Sequence, residues 1–376
     1  MSPSSYRCAF VSALCLVLSA AVSGQTPPPA TTPPPDPAPA PVWSAGGIDF
    51  SGLVDGYANL NFNHPASRNN NLRYFDHKAN QLTLNMVKLT AEHTADPIGF
   101  KVDFLFGKAA DTFHATEPGG VEVYKHLLQA YVTLKPASMK GASIDFGKFV
   151  TSAGAEVTES HLNWNYSRGL LYANGPFYHF GARFTAPIGK NVTAGYQLVN
   201  GWNNVEDNNS GKTHGLTFAV TSPMLNWFNT YYVGPEKTNT NDGYRNFYDT
   251  VLAINPNGKF QGLLNFDYGQ ENNPGSRASK FYGFALAGRV SGGPWAFSPR
   301  YEWYKDQSGL ITGVAQKLQE FTATLEYKMA EGFVTRLEYR RDFSNQPFFD
   351  KGNELASSKN MNTLEIGFMV FFGPKR

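Results

Sequence analysis

Cysteine is almost absent: the 376 residues contain two, Cys8 and Cys15, both near the N-terminus. The rest of the chain forms no disulfide and offers no thiol ligand or thiol nucleophile. Charge is also scarce. Asp, Glu, Lys and Arg make up 16% of the chain, against about 25% in ordinary soluble domains. Net charge is +2, and no block of like charge is long enough to act as a basic arm. That excludes an electrostatic case for nucleic acid. Long apolar runs are missing as well. Beyond Val42 none approaches 18 residues, so no helical membrane span is predicted.

Catalytic signatures are missing too. There is no Gly-x-Ser-x-Gly and no His-Glu-x-x-His. Residues 141–148 look like a phosphate loop, but five residues separate Gly141 from Gly147 and Phe149 replaces the hydroxyl residue. Residues 206–211 are acidic and Asn-rich but lack the calcium-loop glutamate. The eight histidines are scattered. These patterns predict no enzyme, no cofactor and no metal site. One alternative stays open: His179, on the inward face of a strand, could join a serine in a barrel hydrolase.

What is present points elsewhere. Aromatics reach 14% while mean hydropathy is only −0.34, which suits a sheet with one apolar and one polar face. The N-terminus reads as a secretory signal over 1–24: Arg7, an apolar stretch at 9–21, and a small-residue cleavage site at Val22-Ser23-Gly24. That apolar stretch is short for a membrane helix of about 20 residues. A Pro-rich linker follows over 25–45, with prolines at 27–29, 33–35, 37, 39 and 41, a composition favouring extended polyproline II. Residues 46–376 form the remaining unit.

Within that unit period 2 dominates. In 259–269, Phe260, Leu264, Phe266 and Tyr268 oppose Gln261, Asn265 and Asp267. In 363–372, Leu364, Ile366, Phe368, Val370 and Phe372 oppose Thr363, Glu365 and Gly367. Repeating this reading predicts sixteen strands: 47–62, 80–93, 98–108, 124–135, 142–151, 176–187, 191–202, 212–222, 226–235, 245–255, 259–270, 279–291, 295–305, 317–328, 331–342 and 361–372. The alternation slips at Met86-Val87, which predicts a bulge.

Connections alternate between long and tight along the whole unit. Long loops at 64–79, 109–123, 152–175 and onward are separated by turns such as Asp96-Pro97 and Pro256-Asn257-Gly258. An up-and-down transmembrane barrel has this pattern, with short periplasmic turns and long extracellular loops. Aromatic pairs fit: Phe260 with Tyr268, Trp295 with Trp303, Phe321 with Tyr327 and Phe333 with Tyr339 lie on one face near opposite strand ends. Rings favour both membrane interfaces. A sheet facing lipid must close, because an open edge leaves backbone groups unpaired. The predicted fold is therefore an all-β, closed, up-and-down antiparallel transmembrane barrel of about 16 strands, wide enough for an aqueous channel.

The residues 163–168 (Asn-Trp-Asn-Tyr-Ser-Arg), 175–181 (Gly-Pro-Phe-Tyr-His-Phe-Gly), 199–204 (Val-Asn-Gly-Trp-Asn-Asn) and 207–209 (Asp-Asn-Asn) carry a resemblance. In these segments the chain resembles the OmpL-like β-barrel porins of bacterial outer membranes, over nearly all of the sequence after the proline segment. The resemblance implies a porin-like channel in the outer membrane of a Gram-negative bacterium, assembled by the barrel assembly machinery, but it names no solute. The final strand also looks like an outer-membrane export signal, although Gly373-Pro374-Lys375-Arg376 follow its terminal Phe372.

By analogy with general porins, the third long loop, 152–175, is expected to fold inward and constrict the pore through Glu156, Glu159, Trp164, Tyr166 and Arg168, with His161 and Tyr172 nearby. A lid, or a loop packing on a neighbouring subunit, is the alternative. Parity places Lys101, Arg183, Arg289, Arg300, Arg336 and Arg340 in the lumen with Asp103, Asp145, Asp267, Glu302, Glu326, Glu338 and Glu365. Both signs are present, so strong ion selectivity does not follow; arginines facing the acids of the third loop would create a transverse field. The expected partners are outer-membrane lipid and small polar solutes, with a homotrimer as one open assembly and both termini periplasmic. The rival readings are a lipase-like barrel enzyme and a soluble secreted all-β binding protein.

Overall fold

The structure is a computed structural model that describes residues 43–118 and 121–374. The predicted leader (1–24) and residues 25–42 of the predicted linker lie outside the described residues. The last residues of that linker already join the sheet: Ser44–Ala45 pairs with Asp49 and Ile48.

Sixteen long strands follow one another and pair in sequence order: β1 (Ile48–Asn61), β2 (Gln81–His93), β3 (Ile98–Phe106), β4 (Leu127–Leu134), β5 (Ser143–Val150), β6 (Tyr178–Pro187), β7 (Val192–Val199), β8 (Thr213–Thr221), β9 (Leu225–Pro235), β10 (Tyr244–Ile254), β11 (Phe260–Glu271), β12 (Ser279–Gly292), β13 (Trp295–Asp306), β14 (Gln316–Ala330), β15 (Phe333–Ser344) and β16 (Asn360–Phe372). Every neighbouring pair is antiparallel. The sheet closes where β16 pairs with β1, from Thr363 opposite Asn61 to Phe372 opposite Gly52. Closure leaves no strand edge exposed.

The two faces of the wall are inverted relative to a soluble protein. Leu264 and Leu286 point outward and are 38% and 45% exposed, while the neighbouring Asp267 is 4% exposed and Arg340 is fully buried. Rows of exposed apolar side chains running around a whole molecule far exceed the patches that soluble monomers tolerate. Hydrocarbon is the solvent that accepts them. At the short-turn end, the outward rings of Trp295 and Tyr327 meet with centroids 4.4 Å apart. At the long-loop end, Tyr268, Tyr282 and Trp303 form a row with centroid spacings of 6.4 and 5.7 Å. These are the two aromatic girdles expected at membrane interfaces.

The strand boundaries agree with the alternation, with local differences. The bulge in β2 falls at Asn85, between the Asp55–Met86 and Gly56–Leu84 pairs, one residue before the predicted slip. β3 stops at Phe106 because Gly107 takes a positive φ of 93°, and the helix α1 (Lys108–Phe113) begins there. A side chain at 107 would crowd the Asn85 carbonyl 2.6 Å away. The predicted start of the fourth strand at 124 belongs to a short helix, α2 (Val121–Tyr124). The loop after β15 contains a small hairpin, Phe349–Lys351 with Glu354–Ser358, outside the barrel sheet.

A charge on the outer face tests this orientation. Leu286 lies mid-strand and outward, so Leu286→Arg should lower stability in bilayers by about 2–4 kcal/mol. Urea titrations of tryptophan emission in liposomes would measure the loss; a wild-type midpoint would contradict the lipid-facing assignment.

Candidate pore constriction

The third long loop, L3 (residues 151–177), turns back into the barrel. Three wall arginines explain how a segment without strand partners stays there. Arg336 on β15 donates to the L3 carbonyls of Ser160 (2.7 Å), Asn163 (2.5 Å) and Asn165 (3.0 Å), while its guanidinium pairs with Glu326. Arg340, four residues on, donates to the Arg168 carbonyl (2.6 Å) and pairs with Asp342. Arg300 on β13 donates to the Ser167 carbonyl (2.8 Å) and to Glu156 (2.6 Å), and is held from behind by Glu320.

Wall carboxylates satisfy the loop's N–H groups in turn. Glu338 accepts from the N–H of Tyr166 (2.7 Å) and of Ser167 (3.0 Å), and Glu302 accepts from the N–H of Leu170. Buried backbone groups need such partners, because an unpaired one costs about 1–3 kcal/mol. Asn165 adds a bond to Thr324 (2.7 Å), and Tyr166 Oη donates to Asp55 on β1 (2.5 Å). Inward-facing Gly367 makes room for the Tyr166 ring, which a Cβ there would strike. Glycine at 169 lets the loop backbone approach the Glu302 carboxylate equally closely.

The predicted constriction residues divide into groups. Tyr166 and Arg168 are fully buried anchors; Arg168 donates to the loop's own Val157 (3.0 Å) and Tyr166 (2.5 Å) carbonyls. Glu159 is bound by Lys88 on β2, which also pairs with Asp103 (3.0 Å). Glu156 is tied to Arg300, and Trp164 lines a small cavity beside the β11–β13 wall. The predicted lumen residues all face inward. Asp145 meets Arg183 (2.7 Å), Glu326 meets Arg289 (2.6 Å), Lys101 meets Glu92 (3.5 Å), and Glu365 accepts from Asn59 (2.9 Å). Of Arg300, Arg336 and Arg340, Arg300 alone among the described residues contacts an acid of L3; the other two hold loop carbonyls and wall acids. His179 bonds the Gly201 carbonyl (2.8 Å) and Thr151 (3.3 Å), and no serine is among its described hydrogen-bond partners.

The sequence did not single out the first loop, L1 (residues 62–80), yet it also enters the barrel. Arg73 is fully buried and bonds Asp342 (2.8 Å), Asp76 (2.5 Å) and Thr363 (2.8 Å). Phe75 lies under the Arg168 guanidinium, 5.0 Å away, and Tyr74 stacks on Phe177 at 4.2 Å. L1 and L3 thus form one plug. Asp55, Lys88, Glu320 and Asp342, which complete the network, face inward at ordinary period-2 positions, so strand parity alone could have found them.

The closed barrel wall has counterparts among known proteins. Residues 47–372 match the family described as "Putative beta-barrel porin-2, OmpL-like". The chain belongs to this β-barrel porin family. It is a porin-like channel of the outer membrane. Among solved structures, this porin is similar to in-vitro folded OmpT of Vibrio cholerae in its trimer form, at 15% identity and a TM-score of 0.58, covering 88% of this chain and 100% of that one. An anion-selective porin from Comamonas acidovorans matches at 11% identity and a TM-score of 0.58, covering 86% and 99%. The outer-membrane channel DcaP of Acinetobacter baumannii matches at 13% identity and a TM-score of 0.56, covering 87% and 96%. At these identities the likeness is one of fold. No curated protein sequence matches the porin.

Two measurements probe the plug. Arg336→Gln removes donors from three loop carbonyls; breaking such a buried charged network costs about 3–5 kcal/mol. L3 should then detach, seen as larger and noisier single-channel conductance and as proteolytic cleavage within 151–177. A wild-type trace would show that Arg336 does not hold the loop. The second concerns His161, whose ring stacks on Phe371 at 4.3 Å and whose Nδ1 has no hydrogen-bond partner among the described residues. Burial holds its pKa down at about 4, below the usual 6.5. The packed loop therefore resists protonation. Its stability is full above about pH 6.5 and falls as pH drops towards about 4. Cleavage within L3 should rise across that window in wild type, and His161→Phe should flatten the rise.

Proposed function

We propose that the porin lets small polar solutes diffuse passively past L3, with Glu156, Glu159, Trp164, Tyr166 and Arg168 forming the constriction and no chemical step on the solute. The observation that carries this is the division of labour within the barrel. Tyr166 and Arg168 bind the loop in place, while Glu156, Glu159 and Trp164 border the remaining space. A cavity of about 750 Å³ at the short-turn end, lined in part by Lys88, Lys101, Glu92 and Glu159, leads up to the underside of the loop. Its lining by charged groups favours water and polar solutes over apolar ones.

The lumen-facing charges, Asp103, Asp145, Arg183, Arg300, Glu302, Arg336, Glu338 and Arg340, act mainly by positioning the plug and holding neighbouring strands. A wall in which cations are already paired has no surplus field from its arginines. The even strand count supports periplasmic termini, with the proline segment as a spacer. A homotrimer is supported by the fold likeness to a barrel solved in trimer form. Lipid contacts the outer face, and insertion requires the barrel assembly machinery.

Proteoliposome swelling with a graded series of neutral sugars tests the reading. Swelling should be rapid for the smallest solutes and fall off sharply with size. Liposomes carrying folded, heat-modifiable protein that do not swell with any solute would overturn it.

A further inference from the structure

The charges around L3 are unevenly distributed along the wall. On the side of β13 to β16, guanidinium groups bind the loop. Arg300 is occupied by Glu156, Glu320 and the Ser167 carbonyl, Arg336 by Glu326 and three loop carbonyls, and Arg340 by Asp342 and the Arg168 carbonyl. Arg73 of L1 fills the same side through Asp342 and Asp76.

The space lies between L3 and the wall at β4, β5 and β10 to β13. Two cavities of about 70 and 140 Å³ share Glu156, Leu171 and Tyr172 as lining. The larger also contains Glu159, which lines the 750 Å³ vestibule as well, so these spaces adjoin. The charged groups lining the 140 Å³ cavity are Asp267 and two acids already in ion pairs, Glu156 with Arg300 and Glu159 with Lys88. The wall behind it is acidic too. Asp249 on β10 stands directly opposite Asp267 on β11 in the sheet register. Asn265 donates to both, at 2.7 and 3.1 Å. Neither aspartate forms an ion pair among the described residues, and Asp249 Oδ1 is buried with no hydrogen-bond partner. Glu302 borders the 70 Å³ cavity and is likewise without an ion pair among the described residues.

We infer that the porin prefers cations, and that the facing pair Asp249 and Asp267 sets this preference. The inference rests on the channel reading and names its favoured solutes: small inorganic cations and small ammonium compounds. Carboxylates in a confined, poorly screened passage attract a passing cation and repel an anion. Two facing carboxylates without a cationic partner share one proton and carry one negative charge between them, which gives that cation a stopping point. The arginines do not offset them, because each already faces its own carboxylates: Arg300 those of Glu156 and Glu320, Arg336 that of Glu326, and Arg340 that of Asp342.

Reversal potentials in planar bilayers under a KCl gradient test this with the full-length porin. Wild type should show potassium permeating several-fold better than chloride. Asp249→Asn with Asp267→Asn keeps the size and shape of the pair while removing its negative charge, and should bring the permeability ratio close to one. A wild-type potential at zero or of chloride sign overturns the preference, and this needs no variant. A potassium-selective potential unchanged in the double variant, folded by heat-modifiable migration, overturns the assignment to these aspartates. A folded wild type that conducts in no salt refutes the channel reading itself, an outcome distinct from conduction without cation preference.

Discussion

A polypeptide segment that enters the barrel without joining the sheet carries its backbone polar groups away from bulk water. Each needs a partner, and strand pairing supplies none, since the wall has spent its own N–H and C=O groups on closure. Side chains must do it. Arginine suits the task because one planar guanidinium offers five donors and stays charged. Arg336 uses that capacity fully, reaching three loop carbonyls while Glu326 balances its charge. Glu338 does the converse, accepting from two successive loop N–H groups. The rest of the interior follows from this exchange. Tyr166 can enter because Gly367 vacates the wall, Arg73 can follow because Asp342 already faces Arg340, and the aromatic contacts of Tyr74 and Phe75 join the two inserted loops.

The wall was legible in the sequence because one physical variable repeats along it. Residues of alternate rank meet lipid or the interior, so Phe266 against Asp267, or Ile366 against Glu365, reads directly as outside against inside. Turn chemistry fixed where strands reverse. The Asn85 bulge was visible as a broken alternation, displaced by one residue. The plug was legible only in part. The composition of L3 marked it as unusual, but the bonds that hold it join residues such as Tyr166 and Asp55, or Asn165 and Thr324, that are more than a hundred positions apart. No local period encodes those pairings. L1 escaped notice for the same reason: its Arg73 looks like any charged loop residue until Asp342 is placed beside it.

The low identity to other porins of the same fold has the same origin. Lipid accepts almost any apolar side chain and places no demand on which one it is, so outer-face positions drift freely within the alternation. Inner-face positions drift with whatever loop they must hold. A TM-score of 0.58 at 11–15% identity is the expected outcome. It also means that lumen chemistry has to be read from each chain's own residues, since the fold constrains the wall and leaves the interior free.

Anchoring and permeation are then linked by geometry. A loop held at some stretches of the wall leaves its space along others, and the groups that hold it are consumed in doing so. Here the holding side is rich in arginine, because loop carbonyls outnumber other needs there, and each guanidinium brings carboxylates with it to balance charge. The neighbouring wall at β10 and β11 carries Asp249 and Asp267 without such partners. Had the loop been held by carboxylates alone, accepting from its N–H groups, the surplus left facing the passage would carry the opposite sign. Charge selectivity in this architecture is therefore a by-product of which end of the loop's peptide dipoles the wall chooses to grip.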